Sequence, residues 1–280
     1  MTEYLTPQDH NRDVTGMRYV YPVVSRRAGG VSIGINLNTN NACNWRCIYC
    51  QVPGLVRGSP EPIDLKLLEQ ELRIFLKQIT QGDFMTRYVP EGARQLQDIA
   101  FSGNGEPTAA PEFPQAVALV EQVMRDFGLL GKIKLRVITN GSQMDKAKVL
   151  EAVSHLSQCN GEVWFKLDAG TEAGFERINS IHMRPSAVIK RLRACASRCD
   201  TWVQTCVFAL DSVPPDPQDV QAYLGLLEQV ADIAKGVLVY GVVRQSYQPE
   251  APRISAVSQA WLDNLVQGIR ALGLQVRVNP

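Results

Sequence analysis

Hydrophobic positions along the chain follow two different spacings. Short runs rich in β-branched residues, at 31–37, 99–101, 133–138, 163–167, 202–209 and 237–243, predict six strands. Between them, apolar residues recur at helical spacing. Leu68, Leu72, Phe75, Leu76 and Ile79 share one face of a helix predicted at 65–79. Further helices are predicted at 116–127, 144–156, 172–179, 186–197 and 257–269, with a last short strand at 274–278. Another helix opens at Asp216-Pro217, an N-cap carboxylate followed by proline in the first turn, and ends before Gly236. The stretch 82–97 lacks periodicity and reads as a surface insertion. Strand–helix alternation gives the α/β class, with parallel strands joined by helical crossovers.

Polar, glycine-rich turns follow several of the strands: Ser102-Gly103-Asn104-Gly105-Glu106-Pro107, Thr139-Asn140-Gly141-Ser142 and Asp168-Ala169-Gly170. In an α/β barrel these turns cluster at the C-terminal face, where active sites are built. The chain has 280 residues, 45% of them hydrophobic, so a core can form without staples. Lys and Arg number 29 against 28 Asp and Glu, for a net charge of +1. That balance argues against nucleic-acid binding by bulk charge and against disorder. Residues 1–21 carry no apolar signal-like run, and no stretch reaches the ~18 apolar residues of a membrane span. A cytoplasmic location is the expectation.

There are seven cysteines, an odd number that argues against a disulfide framework. Three of them form Cys43-x3-Cys47-x2-Cys50, and thiolates this close can converge on one metal centre. No fourth Cys or His lies within thirty residues on either side; His10 and Cys159 are the nearest. Structural zinc and four-iron clusters normally take four protein ligands, so three suggest a cluster with one iron left open. A set of incidental buried cysteines, a non-catalytic iron–sulfur sensor and a zinc module are the competing readings. Of the remaining cysteines, Cys195 and Cys199 share a helical face, with Cys206 on the next strand and Cys159 elsewhere. Core packing is the favoured reading for all four over a second cluster.

The segment Cys43-Asn44-Trp45-Arg46-Cys47-Ile48-Tyr49-Cys50 resembles the signature of the radical S-adenosylmethionine (SAM) superfamily, Cys-x3-Cys-x-aromatic-Cys after the first barrel strand. The resemblance implies a partial (β/α)6 TIM-like barrel over 31–245, after an N-terminal extension (1–30). A C-terminal helix and strand (246–280) would pack on the barrel. It implies a 4Fe-4S cluster (four iron, four sulfur) on Cys43, Cys47 and Cys50, with SAM chelating the fourth iron and Tyr49 near the adenine. Asn104-Gly105-Glu106-Pro107 is similar to the Gly-Gly-Glu-type turn that holds the SAM ammonium, with Asn104 accepting a turn geometry usually left to glycine. The activity implied is reductive cleavage of S-adenosyl-L-methionine to a 5′-deoxyadenosyl radical, which abstracts hydrogen from a substrate. An external donor, flavodoxin or ferredoxin, would supply the electron.

At the strand ends, Lys166 is read as a partner of the SAM carboxylate, and Asn140 or Asp168 as a partner of the ribose hydroxyls; a plain Lys166–Asp168 ion pair is the alternative. The ordered succession of Ile-Thr-Asn-Gly, Trp-Phe-Lys-Leu-Asp-Ala-Gly, Arg177-Ile178-Asn179, Val203-Gln204-Thr205 and Val239-Tyr240-Gly241 resembles the branch containing the wyosine-base synthases. Those enzymes modify a tRNA guanosine, which makes a nucleoside in RNA a candidate substrate. They also carry additional cysteines before the triplet, and none precedes Cys43 here. A small metabolite, a peptide or a partner protein is the alternative substrate. Gln204 and Arg244 are candidate substrate contacts, and 53–60 is a candidate lid. Arg26-Arg27 could touch substrate or merely flank the first strand. The basic stretch Arg184, Lys190, Arg191, Arg193 and Arg198 reads first as a solvated helix face, and His10, His155 and His182 as incidental.

Overall fold

The computed structural model of the protein describes Leu5, residues 16–25 and residues 28–279. His10, Arg26 and Arg27 lie outside the described residues. Eight strands form one sheet: β1 (Val20–Ser25), β2 (Gly30–Ile35), β3 (Leu96–Phe101), β4 (Lys134–Thr139), β5 (Gly161–Lys166), β6 (Thr201–Val207), β7 (Gly236–Gly241) and β8 (Gln275–Asn279). Their order in space is their order in the chain. β1 pairs antiparallel with β2, and every later neighbour is parallel. The result is a curled partial barrel, with the six expected strands at its centre and β8 as a seventh parallel strand. Helices α1 (Leu65–Thr80), α2 (Phe84–Tyr88), α3 (Phe113–Asp126), α4 (Ala147–Ser157), α5 (Glu172–Asn179), α6 (Pro185–Ala196), α7 (Pro217–Glu228) and α8 (Gln259–Ala271) complete the framework.

A two-residue period along each strand assigns its side chains to two environments. Val31, Ile33 and Ile35 of β2, Ile99 and Phe101 of β3, Leu135 and Val137 of β4, and Val163 and Phe165 of β5 point outward. They build the core with Leu68, Leu72 and Phe75 of α1 and Val117 and Val120 of α3. The alternate residues face the concave side and are mostly polar or aromatic: Ser32, Asp98, Arg136, Trp164, Lys166, Gln204 and Tyr240 all line one cavity of about 280 Å³. At its base Arg136 donates to Asp98 and, from Nε, to Glu162 at 3.0 Å; Trp164 Nε1 donates to the same Glu162 oxygen at 2.6 Å. Ser32 closes the chain through Asp98. Buried charges of this kind are tolerated because each is paired.

Two elements escaped the sequence pattern. β1 contains Pro22, which weakens any strand assignment, but β1 lies at a sheet edge, where a missing N–H is harmless. Its approach is fixed by Glu71 of α1, whose carboxylate accepts from the backbone N–H of Arg18, Tyr19 and Val20 at 2.8, 2.8 and 3.3 Å. The stretch read as an insertion contains α2, and Phe84 packs edge-on against Phe75 with ring centroids 4.9 Å apart. By contrast, the Asp216 cap is as expected, accepting from the N–H groups of Gln218 and Asp219.

Glu71→Ala removes a carboxylate that accepts from three backbone N–H groups at the start of β1, the buried Tyr19 among them. At about 1–3 kcal/mol per unsatisfied buried group, a loss of at least ~2 kcal/mol is expected, with Glu71→Gln retaining part of it. Urea unfolding of the two variants measures this.

Candidate active site

The loop after β2 carries the three cysteines and is held at both ends and along its length. Asn36 Oδ1 accepts from the N–H of Asn38 at 3.0 Å and of Asn104 at 3.1 Å, tying this loop to the turn after β3. Asn38 Nδ2 donates to the Ala42 carbonyl at 3.0 Å. Asn41 takes φ 55°, a left-handed conformation that Asn tolerates, and its carbonyl accepts from Val56 N–H at 3.0 Å. Ala42–Cys43 then pairs in parallel with Val56–Arg57, so the segment suggested as a lid is bonded to the cysteine loop. Further on, the N–H groups of Arg46 and Ile48 donate to the carbonyls of Asn179 and Ile178 at the end of α5. The Arg46 guanidinium forms a two-pronged ion pair with Glu250, both contacts at 2.8 Å.

Cys43, Cys47 and Cys50 are half-buried free thiols on one wall of the cavity. Burial pushes the Cys43 thiol up to about 12, partly offset by the Trp45 N–H that points at its sulfur. Burial also raises Cys47, to about 11, against the pull of the Lys166 ammonium and of Asn179 Nδ2, which donates to its sulfur at 3.2 Å. Without a metal these groups stay protonated; a bound cation that takes the thiolates must expel their protons.

The turn after β3 faces the cysteines. A Cβ on Gly105 would meet the Ala42 carbonyl at 2.1 Å, so only glycine allows the two loops to touch. The unusual backbone falls on Gly103, at φ 143°, and not on Asn104 as expected; a Cβ on Gly103 would strike Asn36 Oδ1. Asn104 keeps an ordinary φ, and its Oδ1 is buried without a partner among the described residues. Glu106 is buried, and its carboxylate binds protein groups. Oε1 accepts from Thr108 and from Thr139 Oγ1 at 2.7 Å, and Oε2 accepts from Asn140 N–H at 2.6 Å. Burial raises its pKa despite these bonds. Asn140 in turn reaches Asn44 beside the first cysteine, Nδ2 to Oδ1 at 2.9 Å.

The cavity-lining residues include the three cysteines, Tyr49, Asn104, Gly105, Glu106, Asn140, Lys166, Gln204 and Arg244. Of the residues assigned from sequence to the cluster or to SAM, Asp168 is not among them; it lies behind Tyr49, accepting from Tyr49 Oη and, at 2.9 Å, from Asn179 Nδ2, while its other oxygen takes Cys206 N–H at 3.0 Å. Lys166 turns instead to Tyr240 Oη, 2.9 Å away, and lies over the Tyr49 ring. Burial opposes its charge, but Tyr240, Asp168 and Cys47 outweigh that and hold its pKa above the usual lysine value. Gln204 Nε2 is buried with no partner among the described residues. Sequence reasoning assigned no role to Asn179, Tyr240 or Ser246, which lie far along the chain from the loop they contact, nor to Asn44 within that loop, whose partners Asn140 and Ser142 are about a hundred residues away.

The other four cysteines do not converge. Cys195 bonds Thr201, Cys159 lies beside His155, and Cys206 is on the inner side near Tyr49. Two of the five basic residues of that stretch are paired with carboxylates, Arg191 with Asp145 and Arg193 with Asp232, while Arg198 donates to the Ala194 carbonyl. Among the described residues no helix is long and apolar enough to cross a membrane.

The family model of the radical SAM superfamily matches residues 37–209, which span the cysteine loop through β6. The chain belongs to the radical SAM superfamily. Its members are enzymes that use a 4Fe-4S cluster and S-adenosylmethionine, and they typically draw on an external electron donor. A UPF0026 protein of Helicobacter pylori strain J99 is 27% identical over 161 residues, covering 56% of this chain and 44% of that protein. The match thus spans less than half the length of that relative. Among solved structures, a radical SAM methyltransferase from Sphaerobacter thermophilus superposes with a TM-score of 0.60 at 13% identity, covering 89% of this chain and 66% of that one. HydG, a maturase of the [FeFe]-hydrogenase, gives 0.50 at 11% identity, over 85% and 48%. These likenesses concern the fold alone.

The thiol pKa values set a simple expectation for the metal-free chain. Alkylation of Cys43 and Cys47 by iodoacetamide is slow near neutral pH and speeds up about tenfold per pH unit from about pH 7 to about pH 9 without levelling off. Mass spectrometry of the modified peptides follows this.

Proposed function

We propose that Cys43, Cys47 and Cys50 hold three irons of the 4Fe-4S cluster and leave the fourth to S-adenosylmethionine. The residues present suit that group: three thiols and no fourth cysteine share the cavity wall, and Asn104 Oδ1, an acceptor buried beside them, lacks a donor. That orphaned acceptor is the observation carrying the reading, because the amino group of the SAM methionine would supply the missing N–H donor. Held there, a 4Fe-4S cluster would supply the electron, received from flavodoxin or ferredoxin, for reductive cleavage of S-adenosylmethionine to methionine and a hydrogen-abstracting 5′-deoxyadenosyl radical. The chain's own residues bind and orient. Lys166, kept cationic, meets the methionine carboxylate, while Glu106 fixes the turns that carry Asn104 and Asn140. Asn140 faces the ribose, and Tyr49, anchored by Asp168, flanks the adenine. Asp168 therefore acts through Tyr49 rather than on the ribose directly.

For the substrate, we favour a nucleoside in RNA, on the ordered resemblance to tRNA-modifying enzymes. The lining of the cavity is compatible with it: Tyr21, Trp164 and Tyr240 offer aromatic faces, and the Gln204 amide offers a hydrogen-bonding edge, the groups that receive an unstacked base. Arg244, which also lines the cavity, is the candidate partner for a substrate anion. Mass spectrometry of RNA from a strain lacking the protein tests this part separately.

Anaerobically reconstituted protein given dithionite and SAM should release 5′-deoxyadenosine, and Cys47→Ala should release none. Asn104→Ala should raise the KM for SAM about tenfold, as expected for one lost hydrogen bond to a charged group. Product formation by Cys47→Ala at the wild-type rate would refute the assignment.

A further inference from the structure

A second group of metal-binding side chains lies on the helical layer outside the barrel. Glu121 of α3, His155 of α4 and Cys159, just past the end of α4, bring a carboxylate oxygen, an imidazole nitrogen and a sulfur within 4.8 Å of one another. His155 and Cys159 are four residues apart, so they stack on the same side of the helix and its C-terminal turn. His155 Nε2 is 2.6 Å from Glu121 Oε2, and Cys159 is 3.4 Å from the His155 carbonyl through its sulfur. Arg125 takes the other oxygen of Glu121 and so leaves Oε2 directed at the imidazole. Cys159 is buried, whereas the His155 side chain is 40% exposed, which gives an ion a route in.

We propose that Glu121, His155 and Cys159 form a zinc site separate from the cysteine triad. Nitrogen, sulfur and oxygen are the three donor types zinc accepts, and three protein ligands leave a fourth tetrahedral position for water on the exposed side. The ion replaces the His155–Glu121 contact, takes Cys159 as the thiolate, and releases the thiol proton to solvent. Arg125 then serves as the outer partner that orients the ligating carboxylate. The site clips α3 to α4, the crossover helices on either side of β4, whose following turn carries Asn140. His155 and Cys159, unremarkable in the sequence, acquire a role only when Glu121 is brought from the neighbouring helix.

The test uses the full chain with Cys43, Cys47 and Cys50 all replaced by Ala, so that the triad cannot bind the probe. Co²⁺ is titrated in and displaced by Zn²⁺. The expected result is one Co²⁺ per chain with a thiolate-to-cobalt absorption band. Cys159→Ser should abolish the band, and His155→Ala should abolish stoichiometric binding. Zn²⁺ should raise the Tm of the parent and not that of the Cys159→Ser variant. A chain that is folded by circular dichroism and binds no Co²⁺, or binds it equally after both substitutions, overturns the proposal. Should the triple variant fail to fold, the same titration on wild-type protein with its triad already loaded with iron reads the same site, with the same two outcomes. The result is independent of the SAM reading.

Discussion

Each strand of the sheet must satisfy two surroundings at once, and that constraint organises the molecule. The outward residues are packed under helices and are almost wholly aliphatic or aromatic, which is where folding stability is gained. The inward residues are thereby freed from making a core. They can carry Asp98, Arg136, Lys166, Gln204 and Tyr240 in a cavity where polar chemistry is possible. A closed small barrel would fill this space with side chains; the open sheet, ending at β1 and β8, leaves it available.

The cysteine loop adds a second requirement, because three half-buried sulfurs need a fixed backbone and the loop has little regular structure of its own. The loop is held by hydrogen bonds to distant parts of the chain. Asn36 joins it to the turn after β3, Asn140 joins Asn44 to the turn after β4, and Asp168 holds Tyr49 and Asn179 together. The strap formed by Ser246, Tyr247 and Glu250 fastens its far side: Ser246 Oγ donates to the Ile48 carbonyl at 2.7 Å, and Tyr247 N–H to the Cys50 carbonyl at 2.9 Å. Geometry at the sulfurs is therefore set by residues contributed from four successive strand ends, which is how barrel active sites are generally assembled.

Much of this was legible in the sequence for identifiable reasons. Alternation between two-residue and helical spacing located the central strands and the helices that cover them. The Cys43-Cys47-Cys50 spacing located the site because it is local. Residues whose function depends on contacts across a hundred or more positions carried no such mark. Asn179, which touches Cys47 132 positions away, is one example; Glu71, whose capping of β1 is invisible until α1 is folded against it, shows the same limit at a separation of 52. Asp168 shows the converse limit. Its place at a strand end suggested the cavity, but its carboxylate is directed at Tyr49 and Asn179 behind the wall, since the tyrosine hydroxyl and asparagine amide need an acceptor there. Asn104 was expected to bear the strained turn; the chain places that conformation on Gly103, where a Cβ would clash with Asn36.

The account depends on a metal centre with three protein ligands and one position open to the cosubstrate. Electron paramagnetic resonance of the reduced, reconstituted protein tests this most directly, with SAM isotopically labelled in its amino and carboxylate groups. Addition of SAM should shift the spectrum and introduce hyperfine coupling from the label, showing direct attachment to iron. A spectrum unchanged by SAM, with no coupling, would mean that the centre is closed by other ligands and would contradict the account.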